Sequence, residues 1–183
     1  TIIPIYFNYL AGNAGISEVD YLAYWGYAAS VATVLVALIG PILGSVADTR
    51  NFKKPLFIVT MMIGVLGCAA LSFPTSWVIF LAVFVIAKVG YNASLIFYDS
   101  MLVDVTTSER MDTVSSHGYA WGYIGSCIPF AISLAFVLMY EKIGISMKMA
   151  MAIAFFLNAA WWLLVTIPLL RNYEQKNYVE MPK

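Results

Sequence analysis

The feature that most constrains the fold is the length of the uncharged apolar runs. Residues 21–47 contain no charged side chain, and as a helix they would extend about 40 Å, which exceeds the roughly 30 Å of hydrocarbon in a bilayer. Because the bilayer core offers no water to backbone amides, a run of this kind can only be helical. Further apolar runs follow at residues 55–73, 77–103, 115–140 and 147–170. The sequence therefore predicts an all-α membrane protein.

The first apolar segment is shorter than the others. Residues 1–12, TIIPIYFNYLAG, would form a helix of only about 18 Å, so we expect the beginning of this helix to lie upstream. Together the segments predict a six-helix transmembrane bundle over residues 1–171, with an incomplete first helix. The polar residues 172–183 are expected to begin a cytoplasmic linker or tail.

The amino-acid composition indicates whether this bundle lies in water or in a lipid bilayer. Hydrophobic residues make up 62% of the chain and charged residues 11%, with a formal net charge of zero, whereas soluble domains carry about 25% charged residues. The lipid bilayer is therefore the expected environment, and nucleic acid is not an expected partner because binding phosphates requires a basic surface. Cys68 and Cys127 lie in apolar runs without neighbouring histidines, so we expect no metal, cofactor or disulfide.

The basic residues predict the orientation. The connections between runs are short, so neighbouring helices run antiparallel and alternate loops lie on opposite sides of the membrane. One set of loops carries two basic residues, Lys142 and Lys148, and the other carries seven. The positive-inside rule places the second set in the cytoplasm, and a bacterial plasma membrane is the expected location. The seven are Arg50, Lys53, Lys54, Arg110, Arg171, Lys176 and Lys183.

Lys88 stands near the middle of the fourth run, where a charge costs about 2.5–3.5 kcal/mol on insertion scales. At 100° per residue, a polar stripe on the same helix face accompanies it. One interpretation is structural, with Lys88 paired to an acid or carbonyl of a neighbouring helix. The other is a cavity-lining group that binds an anion or takes part in proton coupling. The stripe consists of Lys88, Tyr91, Asn92, Tyr98 and Asp99.

Other polar and small residues within the runs are weaker candidates. Asn8 and Asn158 lie near mid-depth, and each is expected to form an interhelical hydrogen bond, although Asn8 could also line the cavity. Gly118, Gly122 and Gly125 have spacings that allow a second helix to approach closely.

A charged motif, GSVADTRNFKK, follows the second run at residues 44–54. A positive-inside anchor accounts for its bases but not for Asp48. An acid at that depth is suited to a latch on the cytoplasmic side, and Arg110 in the next cytoplasmic loop is its expected partner. The predicted gate comprises Gly44, Asp48, Arg50, Lys53, Lys54 and Arg110.

This motif resembles the loop between the second and third helices of the major facilitator superfamily. Gly44, Asp48, Lys53 and Lys54 match that pattern. Asn51 stands where the superfamily usually has glycine, and asparagine tolerates the left-handed turn that glycine would supply.

A longer resemblance is specific to one branch. The stretch FYDSMLVDVTTSERMDTVSSHGYAWGYIGSCIPF, residues 97–130, is similar to the vacuole-effluxer-like branch, which includes the autophagy-related amino-acid effluxers. The resemblance implies the N-terminal half of a twelve-helix secondary transporter, whose partner would be a C-terminal six-helix half. It also implies alternating access and a small polar solute, with amino acids as the precedent.

Two other function classes were considered. An intramembrane enzyme is disfavoured because the chain has a single histidine and no HExxH motif or pair of membrane aspartates. A non-transporting six-helix assembly module, or a homodimeric half-transporter, remains the alternative.

Overall fold

The computed structural model describes residues 2–180, and their secondary structure is almost entirely helical. Six helices of twelve residues or more are joined by short connections, one of which contains a four-residue helix and a 3-10 turn at Ser108–Arg110. The helices are α1 (Ile2–Asn13), α2 (Glu18–Ala47), α3 (Lys53–Ala70), α4 (Trp77–Ser100), α5 (Leu102–Val105), α6 (Met111–Ile143) and α7 (Met147–Asn172).

Five of these helices, α2, α3, α4, α6 and α7, are long and apolar enough to cross a membrane. The predicted all-α membrane fold is therefore confirmed, and the helices coincide with the hydropathy runs. As expected from its apolar length, α1 is short, with twelve residues.

Local sequence signals set the helix ends. The hydroxyl of Ser17 accepts a hydrogen bond from the Asp20 amide at 3.3 Å and caps α2, and Ser146 caps α7 in the same way. Gly144 ends α6 in the left-handed conformation. Asn51 in the α2–α3 turn has a φ of 65°, which confirms the expected left-handed turn at that position.

The bundle has two ends that differ in chemistry. The α2–α3 turn, α5 and residues 173–180 contact each other at one end, which we call the basic end. At the opposite end, aromatic rings form the core between α1, α2 and α4. Tyr24 stacks on Trp77 with ring centroids 5.0 Å apart, and Trp25 stacks on Phe84 at 4.3 Å. Phe7 is fully buried among them.

The closest helix contact joins α3 and α4 through glycines. A Cβ on Gly90 would lie 2.6 Å from the backbone nitrogen of Gly64, and a Cβ on Gly67 would lie 2.7 Å from the Cβ of Ala87. The spacing of Gly118, Gly122 and Gly125 predicted close packing on α6 instead. A Cβ on Gly122 or Gly125 would meet nothing within 4 Å among the described residues, so that contact is not formed within residues 2–180.

Candidate functional site

A cavity of about 680 Å³ opens between α3, α4, α6 and α7. Most of its wall is apolar, and aromatic side chains contribute a large part of it. Gly122 and Gly125 leave space on the α6 side because they lack side chains. The aromatic lining residues are Phe84, Tyr91, Trp121, Trp161 and Trp162.

Lys88 is the basic residue in the wall of this cavity. It is half-buried, and its ammonium lies 5.9 Å from the ring centroid of Phe84, one turn away on the same helix. Among residues 2–180 the only ion pair within 4.0 Å is the one between Lys53 and Asp104, so Lys88 has no acidic partner in that part of the chain. The cavity therefore contains a lysine whose ammonium has no carboxylate partner among the described residues.

Tyr91 and Asn158 add polar atoms to the same cavity wall. The ring of Tyr91 packs edge-on against Trp162 with centroids 5.7 Å apart. The side-chain amide of Asn158 donates to the hydroxyl of Ser133 at 2.9 Å and to the carbonyl of Ala154 at 2.8 Å. The expected interhelical hydrogen bond of Asn158 is therefore confirmed, since it joins α7 to α6.

Three of the residues expected at the cavity lie elsewhere. Asn8, Asn92 and Asp99 are not among the lining residues. Asp99 is exposed near the basic end, where it accepts a hydrogen bond from Tyr119 at 3.4 Å. Eleven helical residues separate it from Lys88 by about 16 Å, which is too far for both to line the same part of the cavity. Asn8 lies on α1, which does not contribute to this cavity.

The second polar centre lies at the basic end and is built on Asp104. The ammonium of Lys53 lies 3.3 Å from Oδ2 of Asp104, and the two side chains are 2% and 0% exposed. Lys53 also donates to the carbonyl of Ser100 at 3.2 Å. This buried pair fixes the start of α3 against the end of α4.

Asp104 accepts further hydrogen bonds from the segment that follows α7. The hydroxyl of Tyr173 donates to Oδ2 at 2.6 Å, and the backbone amides of Lys176 and Asn177 donate to Oδ1 at 3.1 and 2.8 Å. The side-chain amide of Asn177 adds another at 3.1 Å. With Lys53, a single buried carboxylate has five donors, which satisfies its charge inside the protein.

Tyr173 is buried, and burial raises the pKa of its phenol, which the hydrogen bond to Asp104 raises further. The phenol therefore keeps its proton, and remains a donor to Asp104, at pH values where an exposed tyrosine ionises.

The residues of the predicted gate divide into two groups. Lys53 and Lys54 are engaged within the bundle, since Lys54 donates to the carbonyl of Tyr173 at 3.3 Å. Asp48 and Arg50 have exposed side chains, and the Arg50 guanidinium lies 5.3 Å from the ring centroid of Tyr178.

The expected pair of Asp48 and Arg110 is not formed within residues 2–180. Arg110 is exposed beside the start of α6, and Asp48 ends α2. The acid that is paired at this end is Asp104 in α5, which was not predicted from the sequence and which contacts Lys53. A Cβ on Gly44 would meet nothing within 4 Å, so Gly44 makes no close helix contact within residues 2–180.

Comparison with known proteins identifies the family. The model of the family described as "Vacuole effluxer Atg22 like" matches residues 9–107 and 103–180. The chain belongs to the vacuole effluxer Atg22-like family. The matched segments of this Atg22-like chain include both Lys88 and the Asp104 cluster.

The Atg22-like chain is also similar to a curated bacterial protein. It is 38% identical to YxiO of Bacillus subtilis (strain 168), described as an uncharacterised MFS-type transporter, over 98% of this chain and 43% of the relative. The chain therefore spans less than half the length of that relative. No solved structure matches it significantly. The family match confirms the predicted resemblance to the vacuole-effluxer-like branch, and the description of the bacterial relative agrees with the predicted resemblance to the major facilitator superfamily.

Proposed function

We propose that this chain is the N-terminal six-helix bundle of a secondary active transporter that moves a small polar solute by alternating access. The observation that carries the proposal is Lys88, a mid-membrane cation that lines a cavity and has no acidic partner in residues 2–180. Ionisable residues at this depth mark solute or ion pathways by default, because their insertion is costly. The Atg22-like and MFS-type matches support the same class of function.

The chemistry of the cavity suggests what the solute carries. An ammonium in an apolar wall attracts a carboxylate or another anion more strongly than it would in water. The aromatic side chains around Lys88 offer contact area to an apolar portion of the solute. Amino acids combine a carboxylate with side chains of varied polarity, and we propose them as the first solutes to test. Tyr91 and Asn158 would supply orienting hydrogen bonds.

Exposed apolar surface supports a second half of the transporter. The side chains of Trp121 and Tyr123 on α6 are 71% and 73% exposed, and α2 has very few buried residues for a span of its length. In a membrane these faces contact either lipid or other helices. We propose that α2 and α6 pack against the C-terminal six-helix half and that the solute lies between the halves.

The proposed gate uses the charged side chains that the bundle leaves free. Asp48, Arg50 and Arg110 are exposed at the basic end, which we propose faces the cytoplasm because most of the basic loop residues lie on that side. We propose that they form contacts with the C-terminal half when the cytoplasmic side is closed. The protein would lie in a bacterial plasma membrane and catalyse no chemical reaction.

A counterflow assay on the full-length protein tests this function. The protein is reconstituted into vesicles preloaded with an unlabelled amino-acid mixture, and uptake of the labelled amino acids is followed. Accumulation in wild-type vesicles that is lost in Lys88→Met supports the proposal. Uptake in Lys88→Met equal to that of the wild type would contradict the role of Lys88.

A further inference from the structure

Residues 173–180, here called the strap, follow α7 and fold back across the basic end. Their contacts to Asp104 come from a side chain and from the backbone, through Tyr173, Lys176 and Asn177. The side-chain amide of Asn177 also donates to the carbonyl of Val103 at 2.9 Å. The strap is therefore bound by α5, which lies about seventy residues earlier in the chain.

The strap also binds the α2–α3 turn directly. The side-chain amide of Gln175 donates to the carbonyls of Ala47 and Thr49 at 3.2 and 3.1 Å. The amide of Val179 donates to the carbonyl of Asp48 at 2.8 Å, and Thr49 and Val179 form a parallel β-bridge. Backbone groups at the exposed end of α2 are thus satisfied by the strap rather than by water alone.

Both lysines of the turn are also joined to the strap. The backbone amide of Lys53 donates to Oε1 of Gln175 at 3.4 Å, and the Lys54 ammonium donates to the carbonyl of Tyr173. Asp48 and Arg50 are the charged side chains of the turn that point into solvent. The strap thus fixes the backbone from which these two side chains extend.

Release of the strap would be unfavourable because of Asp104. Four of its five hydrogen bonds come from the strap, and its side chain is fully buried. Without the strap, the carboxylate would keep Lys53 as its partner, and water would have to replace the four donors that the strap holds in place. Hydrogen bonds to a charged group contribute more to stability than those between neutral groups, so four of them together favour the docked strap.

We propose that the strap stays docked throughout the transport cycle and that Asp104 is the positioning residue that holds it. The strap then moves with the bundle as part of it, and presents Asp48 and Arg50 in a constant geometry. Docking of the strap does not depend on the proposed transport function, whereas its consequence for the gate rests on that function.

Crosslinking tests the docked position. Thr49→Cys and Val179→Cys are introduced together into the full-length protein, since residues paired across neighbouring strands have Cα separations suited to a disulfide. We expect rapid and nearly complete formation of the 49–179 disulfide in membranes, identified by peptide mass spectrometry. The control pair Thr49→Cys with Lys142→Cys places the second thiol at the opposite end of the bundle. A rate for the 49–179 pair no faster than that of the control would overturn the proposal.

Hydrogen exchange tests the role of Asp104. In Asp104→Asn we expect the amides of Lys176 and Asn177 to exchange at least about tenfold faster than in the wild type, and the 49–179 disulfide to form more slowly. Asp112→Asn, which removes an exposed acid at the start of α6, should change neither. Unchanged exchange in Asp104→Asn would refute the assignment. If Asp104→Asn does not fold, Tyr173→Phe is used in its place, and we expect a smaller increase in the exchange rates of the same two amides. Unchanged exchange rates in Tyr173→Phe would also refute the assignment.

Counterflow of labelled amino acids separates the strap from the proposed function. If the crosslinked 49–179 protein transports as well as its reduced form, the strap does not need to open. Transport by the reduced form that stops on crosslinking would show that the strap must release, which overturns the proposal. Absence of transport in both forms and in the wild type would count against the proposed function while leaving the exchange and crosslinking results to decide the docking.

Discussion

The ammonium of Lys53 lies 3.3 Å from Oδ2 of Asp104, and both side chains are almost completely removed from solvent. A buried ion pair offsets the free-energy cost of removing both charges from water only when further hydrogen bonds satisfy the other donors and acceptors of the two side chains. Asp104 meets that condition through the strap, and Lys53 through the carbonyl of Ser100.

Replacing Lys53 should therefore destabilise the bundle. We expect Lys53→Met to lower the free energy of unfolding by about 3–5 kcal/mol, because it leaves a buried carboxylate without its cation. Lys54→Met removes a half-buried lysine that has one carbonyl contact, and it should cost about 1 kcal/mol or less. Thermal unfolding of both purified variants in detergent gives the comparison. Equal midpoints for the two variants would contradict the importance of the buried pair.

The raised pKa of the Tyr173 phenol predicts how the contribution of this residue to the stability of the protein depends on pH. Its pKa is raised in the folded protein, while an unfolded tyrosine titrates near pH 10. The stabilising contribution of the phenol is therefore fully present below about pH 10 and is lost as the pH rises towards its folded pKa. We expect the difference in midpoint between wild type and Tyr173→Phe to be constant from about pH 6 to 9 and to shrink above about pH 10. A difference that grows with pH above that value would be inconsistent with the raised pKa.

Gly90 should tolerate no side chain. Because a Cβ there would lie 2.6 Å from the Gly64 nitrogen and 2.9 Å from the Thr60 carbonyl, Gly90→Ala must force α3 and α4 apart. We expect a loss of about 1–3 kcal/mol. Gly12→Ala places its Cβ in open space on α1 and serves as the matched substitution, with little change in the thermal midpoint. The hypothesis fails if the two alanine variants unfold at the same temperature.

Substitutions of Lys88 should show whether transport depends on the charge of this side chain or on its shape. Lys88→Met removes the ammonium and keeps most of the apolar stem, so counterflow of an anionic or zwitterionic solute should fall by at least about tenfold. Lys88→Arg keeps the charge and should retain part of the activity. Lys148→Met removes an exposed lysine at the start of α7 and should leave uptake unchanged. Similar rates in Lys88→Met and Lys148→Met would show that the cavity cation is not needed.

The hydrogen bond from Asn158 on α7 to Ser133 on α6 should contribute to the stability of the bundle. Asn158→Leu would leave the hydroxyl of fully buried Ser133 without its donor, at a cost of about 1–3 kcal/mol. The double variant Asn158→Leu/Ser133→Ala removes both polar groups and should recover part of this loss. Thermal midpoints of the two single variants and the double variant measure the coupling, and strictly additive effects would argue against it.

The features that could be predicted from the sequence are those that depend on neighbouring residues in the chain. Hydropathy located the spans because the bilayer imposes helix on any long apolar run. The left-handed turn at Asn51 was expected from the resemblance, because this residue stands where the superfamily loop usually has glycine. Lys88 and Tyr91 were placed on one helix face by the helical period, and both line the cavity.

The positions that could not be predicted from the sequence depend on contacts between distant segments. Asp104 differs from other loop acids only because residues 173–177, about seventy positions later, fold over it. In the same way, glycines at close spacings occur on both α3 and α6, and the packing of α4 decides that Gly64 and Gly67 on α3 are the ones in contact. A weak sequence signal for Asp104 was available, since it is an acid directly after an apolar run and on the side of the membrane that carries Lys53.

The glycine contact between α3 and α4 limits how the cavity can change shape. With backbone atoms at Gly64 and Gly90 this close, neither helix can slide or rotate against the other without a steric clash. The wall that carries Lys88 is therefore braced by α3, and Trp162 of α7 also packs closely on Gly64. On the α6 side, Gly122 and Gly125 meet nothing within 4 Å among the described residues. If the proposed solute enters this cavity, we expect α6 to shift more than α3 and α4, and Lys88 to keep its position while it does so.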